Sequence, residues 1–173
     1  MLDPYEREVQ LRGSQCKVKL ILHKFKQCLY SLLNDTSLVT EKNLLINKES
    51  PFILNTSTKL DDIDSGSVYK TAYKNYVQPN SSDMLCPIIF FIDKTHTDTN
   101  GRWCLEQVRF TLGIFNRNTR NQSHAWRSLG YIADQANINA LNSVQKSLDY
   151  HHMLEVILED FKECQQYKFQ WEL

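Results

Sequence analysis

The sequence has neither a net charge nor a long apolar segment. Its 173 residues contain 20 Lys and Arg against 20 Asp and Glu, which argues against a histone-like polycation. No stretch approaches the ~20 apolar residues that a membrane span requires, and the N-terminus lacks the apolar core of a signal peptide. We therefore expect an intracellular protein that is neither secreted nor inserted into a membrane.

The cysteines do not form a pattern typical of a disulfide-bonded or zinc-binding protein. There are five of them, an odd number, widely scattered and without a C-x-x-C pair. This pattern favours neither a disulfide scaffold nor a structural zinc site, and it is typical of a reducing compartment.

The composition is that of a folded chain, with 42% hydrophobic and 23% charged residues. The charge is uneven along it: residues 1–60 hold nine Lys and Arg against six Asp and Glu, residues 87–131 hold six against three, and residues 132–173 hold three against seven. Any surface that binds anions should therefore come from the first two segments.

Residues 1–80 are predicted to form a helical N-terminal region. Apolar residues recur at helical spacing over residues 16–34, and a second, shorter helix is predicted over residues 67–77. The first helix is rich in lysine, so it either contacts DNA or a partner, or is an amphipathic helix with a solvated lysine face.

Residues 81–173 change to a strand-like pattern. An apolar run over 87–93 ends at Asp93, and strands over 108–114 and 126–133 complete a predicted three-stranded antiparallel meander. A long amphipathic helix is predicted over 139–165, with its apolar stripe including Val144, Leu148 and Phe161, and residues 169–173 alternate like a fourth strand. This order predicts an α+β protein with a partial, RNase-H-like fold.

An RNase-H-like fold points to a specific chemistry. Such enzymes use carboxylates from separate strands to hold two Mg²⁺ or Mn²⁺ ions during phosphodiester transfer, and the first carboxylate belongs on the central strand. Asp93 occupies that place in the predicted order. The alternative is that Asp93 only accepts backbone N–H bonds at the end of its strand.

Four ordered segments resemble a known family. Residues 85–96 read LCPIIFFIDKTH, and the segments DSGSVY (64–69), FTLGIFN (110–116) and LGYI (129–132) flank or follow them. Together, over about residues 60–165, they resemble Plavaka-type transposases, a branch of the CACTA group of eukaryotic DNA transposons.

The resemblance implies that Asp93 is the first acidic ligand of a DDE-type site that binds Mg²⁺ or Mn²⁺. It also implies a nuclear protein with DNA as its partner, and self-association. The family's later acidic ligands lie past the fourth strand, so a chain ending at Leu173 is expected to be truncated and inactive alone. The alternative function is that of a non-catalytic DNA- or protein-binding remnant.

Arginine is concentrated on the predicted meander, which holds five of the seven arginines. Arg117 and Arg120 lie in a polar loop and are predicted to contact a DNA backbone, because a guanidinium donates two parallel hydrogen bonds to phosphate. Lys94 is a further predicted phosphate contact. Ordinary solvated side chains are the alternative for all three.

Overall fold

The computed structural model describes residues 3–45, 56, 58–79, 81–96, 104–132 and 142–166. The strands are β1 Tyr5–Gln10, β2 Lys17–Leu22, β3 Ile88–His96, β4 Cys104–Leu112 and β5 Arg127–Ile132. The α-helices are α1 Phe25–Leu33, α2 Ser67–Tyr76, α3 Arg117–Arg120, α4 Ser143–Ile157 and α5 Glu159–Gln166, with 3₁₀ turns at Ile63–Ser65 and Ser123–Ala125.

The strands form one antiparallel sheet in the order β1-β2-β5-β4-β3. β1 and β2 make a hairpin whose register runs from Tyr5 opposite Leu22 to Gln10 opposite Lys17. The predicted α+β class is therefore confirmed, and so is the meander β3-β4-β5. Among the described residues β3 is an outer strand of this sheet, not the central one that was predicted. The predicted fourth strand, 169–173, lies outside the described residues.

The chain divides into two compact units built from interleaved segments. The first comprises Met1–Ser31, Phe90–Arg109 and Ser128–Leu173, and the second comprises Leu32–Ile89 and Phe110–Arg127. The predicted division into residues 1–80 and 81–173 stays a prediction.

The prediction of one helix over residues 16–34 is wrong in its first half. Residues 17–22 form β2, where Leu20 and Leu22 are buried while Lys19 and Ile21 are exposed. This alternation is that of a strand with one buried face. β2 pairs with β1, and the spacing of apolar residues in the sequence does not indicate that pairing. Only the segment from Phe25 onward is helical. The first 80 residues are thus of mixed structure and not a helical region.

The predicted helix over 67–77 is confirmed as α2. The 3₁₀ turn Ile63–Ser65 precedes it, and the side chain of Asp62 accepts a hydrogen bond from the Ile63 N–H at 2.7 Å. A short acidic side chain is favourable there because the first N–H groups of a helical turn lack partners in the turn itself.

The predicted long helix is two helices, and its buried stripe differs from the predicted one. A break at Leu158 separates α4 from α5. In α4 the buried residues are Asp149, Met153 and Ile157, whereas Val144 and Leu148 are exposed. The stripe was predicted from the spacing of apolar residues. The face of α4 that is buried contains a carboxylate, Asp149, which such a pattern does not indicate.

The start of α5 contacts three other elements of the first unit. Glu159 forms an ion pair with Arg7 of β1, and Asp160 accepts a hydrogen bond from the Lys26 N–H at 3.1 Å, in the first turn of α1. The Phe161 ring packs edge-on against Phe25 at 5.0 Å and against Phe90 of β3 at 4.8 Å between centroids. These contacts fix α5 against one face of the sheet.

A buried carboxylate holds the β1–β2 turn against α4. Asp149 is fully buried, and its two oxygens accept hydrogen bonds from the Gly13 N–H at 2.6 Å and the Ser14 N–H at 3.0 Å. A Cβ atom on Gly13 would lie 2.2 Å from the Gln145 carbonyl oxygen, so glycine is the residue that allows this close approach.

None of the helices in the described ranges combines the length and apolar character needed to cross a membrane.

We predict that Asp149→Ala lowers the free energy of unfolding by about 2–4 kcal/mol, because it leaves two inward-facing N–H groups unpaired. Asp149→Asn should lower it less, since the amide oxygen still accepts hydrogen bonds. Urea unfolding followed by circular dichroism measures both. The control is Asn142→Ala, which removes a helix cap at the exposed start of α4 and should lower it by about 1 kcal/mol. Equal stability of the alanine variant at 149 and the wild type would contradict the role of Asp149.

Candidate functional site

The sheet of the first unit has two distinct faces. Phe90 packs on Phe161 of α5, whereas the neighbouring Phe91 lies under the guanidinium of Arg109, 4.7 Å from its carbon to the ring centroid. Successive side chains of a strand point to opposite faces. We call the side with Phe90 the helix face and the side with Phe91 the open face.

Asp93 lies on the open face, because it is two residues beyond Phe91 on β3. Its side chain is exposed. The strand continues to His96, so Asp93 lies within β3. The sequence had instead predicted that the strand ends at Asp93. A carboxylate within a regular strand has a fixed direction, which is favourable for a ligand group.

The nearest carboxylate on the neighbouring strand lies on the helix face. Glu106 of β4 accepts a hydrogen bond from the Tyr150 hydroxyl of α4 at 2.6 Å. Since Asp93 points to the open face, the two carboxylates do not converge on one ion. Within the described ranges, no three His, Cys, Asp or Glu side chains are grouped so that they could hold a metal ion. These residues do not amount to a complete two-metal site.

Lys94 does not accompany Asp93. It is exposed, but strand alternation directs it to the face opposite that of Asp93. A ligand that contacts the Asp93 side chain on the open face therefore does not meet the Lys94 ammonium on the other face.

Arg120 has a role within the second unit. Its guanidinium lies 2.5 Å from Asp62 and also donates to the Phe115 carbonyl, and its own carbonyl accepts from the Trp126 indole N–H at 2.7 Å. Only 12% of the Arg120 side chain and 13% of the Asp62 side chain are exposed. A guanidinium held in this way already has its charge balanced by a carboxylate and both of its terminal nitrogens engaged within the unit.

Arg117 stands at the start of α3 and is exposed. The side chain of Asn116 caps this turn by accepting from the Thr119 N–H at 2.9 Å. Arg117 and Arg120 thus share a well-defined turn, but the structure leaves Arg117 outward and engages Arg120. Asp93 and Lys94 belong to the first unit, and the two arginines to the second.

The open face also carries residues that were not predicted as site residues from the sequence. Gln107 of β4 donates to the Tyr131 hydroxyl of β5 at 3.3 Å, next to the Arg109–Phe91 pair. The sequence of β4 already indicated that Gln107 and Arg109 share a face, because they alternate with the apolar Val108 and Phe110, which are buried. The partners across the strands could not be assigned without the register.

Comparisons with protein-family models, with curated proteins and with solved structures found no significant match.

The Tyr150–Glu106 contact predicts a dependence of stability on pH. Burial, together with the Glu106 carboxylate, raises the pKa of Tyr150 to about 12. A phenol with a raised pKa in the folded state contributes its full stabilisation below the unfolded pKa of ~10 and loses it as the pH rises towards the folded value. We expect Tyr150→Phe to be less stable than the wild type at pH 7, and this difference to shrink between about pH 10 and pH 12.

Urea unfolding of the wild type and Tyr150→Phe at a series of pH values measures this difference. Other groups that titrate in the same range cancel because both proteins contain them. A difference that stays constant up to pH 12 would show that the Tyr150 hydroxyl titrates as it does in the unfolded chain.

Proposed function

We propose that the chain carries the front part of an RNase-H-like, metal-dependent DNA-processing domain, similar to that of Plavaka-type transposases. The observation that carries the proposal is the position of Asp93. It lies on the first strand of a three-stranded antiparallel meander that is followed by a helix, and it points to the open face of the sheet. That order of elements is the opening order of an RNase-H-like fold.

Asp93 has the properties of a ligand for a hard cation. Carboxylate oxygens are preferred by Mg²⁺ and Mn²⁺. The Asp93 carboxylate is exposed, and the strand that carries it is held in place where Phe90 packs against α5. In this role Asp93 supplies one ligand, and the remaining ligands come from outside the described residues. We therefore propose a contribution to a metal site and not an active site complete in the described residues.

DNA is the proposed partner, and the nucleus the proposed location, since the resembling proteins act on eukaryotic transposon DNA. Arg117 is the proposed contact with the phosphate backbone, because it is exposed at the start of a capped turn. Lys94 is a second proposed phosphate contact, on a different strand face from Asp93. Arg120 would act by positioning that turn through Asp62. Self-association stays a prediction.

A non-catalytic nucleic-acid-binding module is the second candidate. The observation in its favour is that the described residues offer Asp93 without a second converging carboxylate. The two candidates differ in a measurable way. A metal-dependent domain loses divalent-cation binding when the Asp93 carboxylate is removed, whereas a binding module retains its affinity for DNA without any metal dependence.

We predict that the chain binds Mn²⁺ weakly and that Asp93→Asn abolishes this binding, because an amide is a poorer ligand than a carboxylate for this ion. Glu106→Gln is the matched control, since it makes the same change on the neighbouring strand but on the helix face. Titration of Mn²⁺ followed by electron paramagnetic resonance of the free ion measures binding in all three proteins.

Loss of binding in Asp93→Asn with retention in Glu106→Gln supports the metal role. Unchanged binding in Asp93→Asn, or an equal loss in both variants, would contradict the assignment of Asp93. Circular dichroism confirms that each variant is folded, so a loss of binding is not a loss of structure.

A further inference from the structure

The segment between β4 and β5, in the second unit, presents polar side chains along its outer side. It contains α3 and the 3₁₀ turn Ser123–Ala125, and its inward-facing Thr119 and Ala125 are buried. Asn121 keeps helical backbone angles, φ −75° and ψ −6°, so it lies next to Arg117 on the outer side. We call the exposed side chains of this segment the polar ridge, and they are Arg117, Asn118, Asn121, Gln122, Ser123 and His124.

The backbone under the polar ridge is fixed from behind by side chains of the second unit. The Trp126 indole N–H donates to the Arg120 carbonyl at 2.7 Å, and the buried Thr111 hydroxyl donates to the Ala125 carbonyl at 2.6 Å. The Asn116 side chain holds the start of the segment as the cap of α3. The ridge side chains therefore stand on a rigid support, which recognition of a fixed pattern of hydrogen-bonding groups requires.

The charge of this segment suits an anionic ligand. Residues 107–133 contain no Asp or Glu. Two carboxylates from earlier in the chain reach the base of the segment, and each is paired there: Asp62 with Arg120, and Asp35 with Arg127 at 3.7 Å. Arg117, at the outer side, adds a positive charge to a ridge whose other members are not acidic. Such a surface favours a polyanion.

The side chains of the polar ridge narrow the chemistry of that polyanion. A guanidinium pairs with phosphate, and the amide of Asn or Gln forms two hydrogen bonds with the edge of adenine in the major groove. The ridge has no apolar side chain, whereas protein interfaces are enriched in aromatic residues and methionine. A helical turn with its side chains is about 10–12 Å across, which matches the ~12 Å width of the major groove.

We infer that the polar ridge enters the major groove of duplex DNA, where Arg117 contacts a phosphate and Asn121 and Gln122 contact base edges, with a preference for A·T pairs. The inference deepens the proposed function, on which it rests for DNA as the partner. A phosphate contact alone positions the protein without reading the sequence, and the two amides add the sequence preference. No metal ion is required.

The test is fluorescence anisotropy in EDTA with two labelled DNA duplexes that differ only in a central block of alternating A·T or alternating G·C pairs. We expect the wild type to bind the A·T duplex about tenfold more tightly. The double variant Asn121→Ala/Gln122→Ala should bind both duplexes with the affinity that the wild type has for the G·C duplex. Arg117→Ala should weaken both equally, and lower the slope of log affinity against log salt by about one.

The matched control is Asn75→Ala/Gln78→Ala, which removes two exposed amides at the end of α2 in the same unit. It should leave both affinities unchanged. Photo-cross-linking of the wild type to an A·T duplex that carries 5-iododeoxyuridine, with the attached residue found by mass spectrometry, gives a second measurement that needs no variant. Attachment within residues 117–124 supports the inference, and attachment only elsewhere contradicts it.

The outcomes separate this inference from the proposed function. Equal affinity of the wild type for the two duplexes, or a preference for A·T that persists in Asn121→Ala/Gln122→Ala, overturns the inference and leaves DNA as the partner. Binding of neither duplex overturns both the inference and the proposal of DNA as the partner. Because EDTA is present, none of these results depends on Asp93 holding a metal.

Discussion

The contact between Phe90 and Phe161 determines which face of the sheet each side chain of β3 points to. The Phe161 ring packs edge-on against Phe90 and Phe25, which anchors α5 and one face of the strand. Because a strand alternates its side chains, the same contact turns Phe91 and Asp93 towards the open face. A shift of β3 by one residue would reverse every one of these assignments. The direction of the proposed ligand therefore depends on packing around Phe90 and not on Asp93 itself.

Several charged groups have structural roles, which limits those left for function. Asp149 binds the N–H groups of the β1–β2 turn, and Asp160 accepts from the first turn of α1. Within the second unit, Arg120 pairs with Asp62. Groups of this kind are costly to bury and persist where their hydrogen bonds are satisfied. Function is consequently sought among the exposed groups, Asp93 on the open face and Arg117 on α3.

The sequence predicted the elements whose pattern is local and missed those that depend on a partner. The meander and α2 were predicted from patterns within residues 87–133 and 67–77 themselves, with no partner segment needed. β2 was taken for helix because Val18, Ile21, Leu22 and Phe25 also match helical spacing, and only the pairing with β1 decides in favour of a strand. The stripe of α4 was misplaced because its buried position 149 is a carboxylate. The candidate Asp93 could be found from sequence, whereas its open-face neighbours required the register of β2, β5, β4 and β3.

The open face and the helix face of the first unit are distinct, with Phe91 on one and Phe90 on the other. Hydroxyl-radical footprinting of the full chain, read by mass spectrometry, tests it directly because the two residues are adjacent and chemically identical. Phe91, which is 41% exposed, should be oxidised faster than the half-buried Phe90 and the buried Met153, once each rate is scaled to the intrinsic reactivity of its side chain. Faster oxidation of Phe90 than of Phe91 would mean that the faces are reversed and that Asp93 points towards the helices.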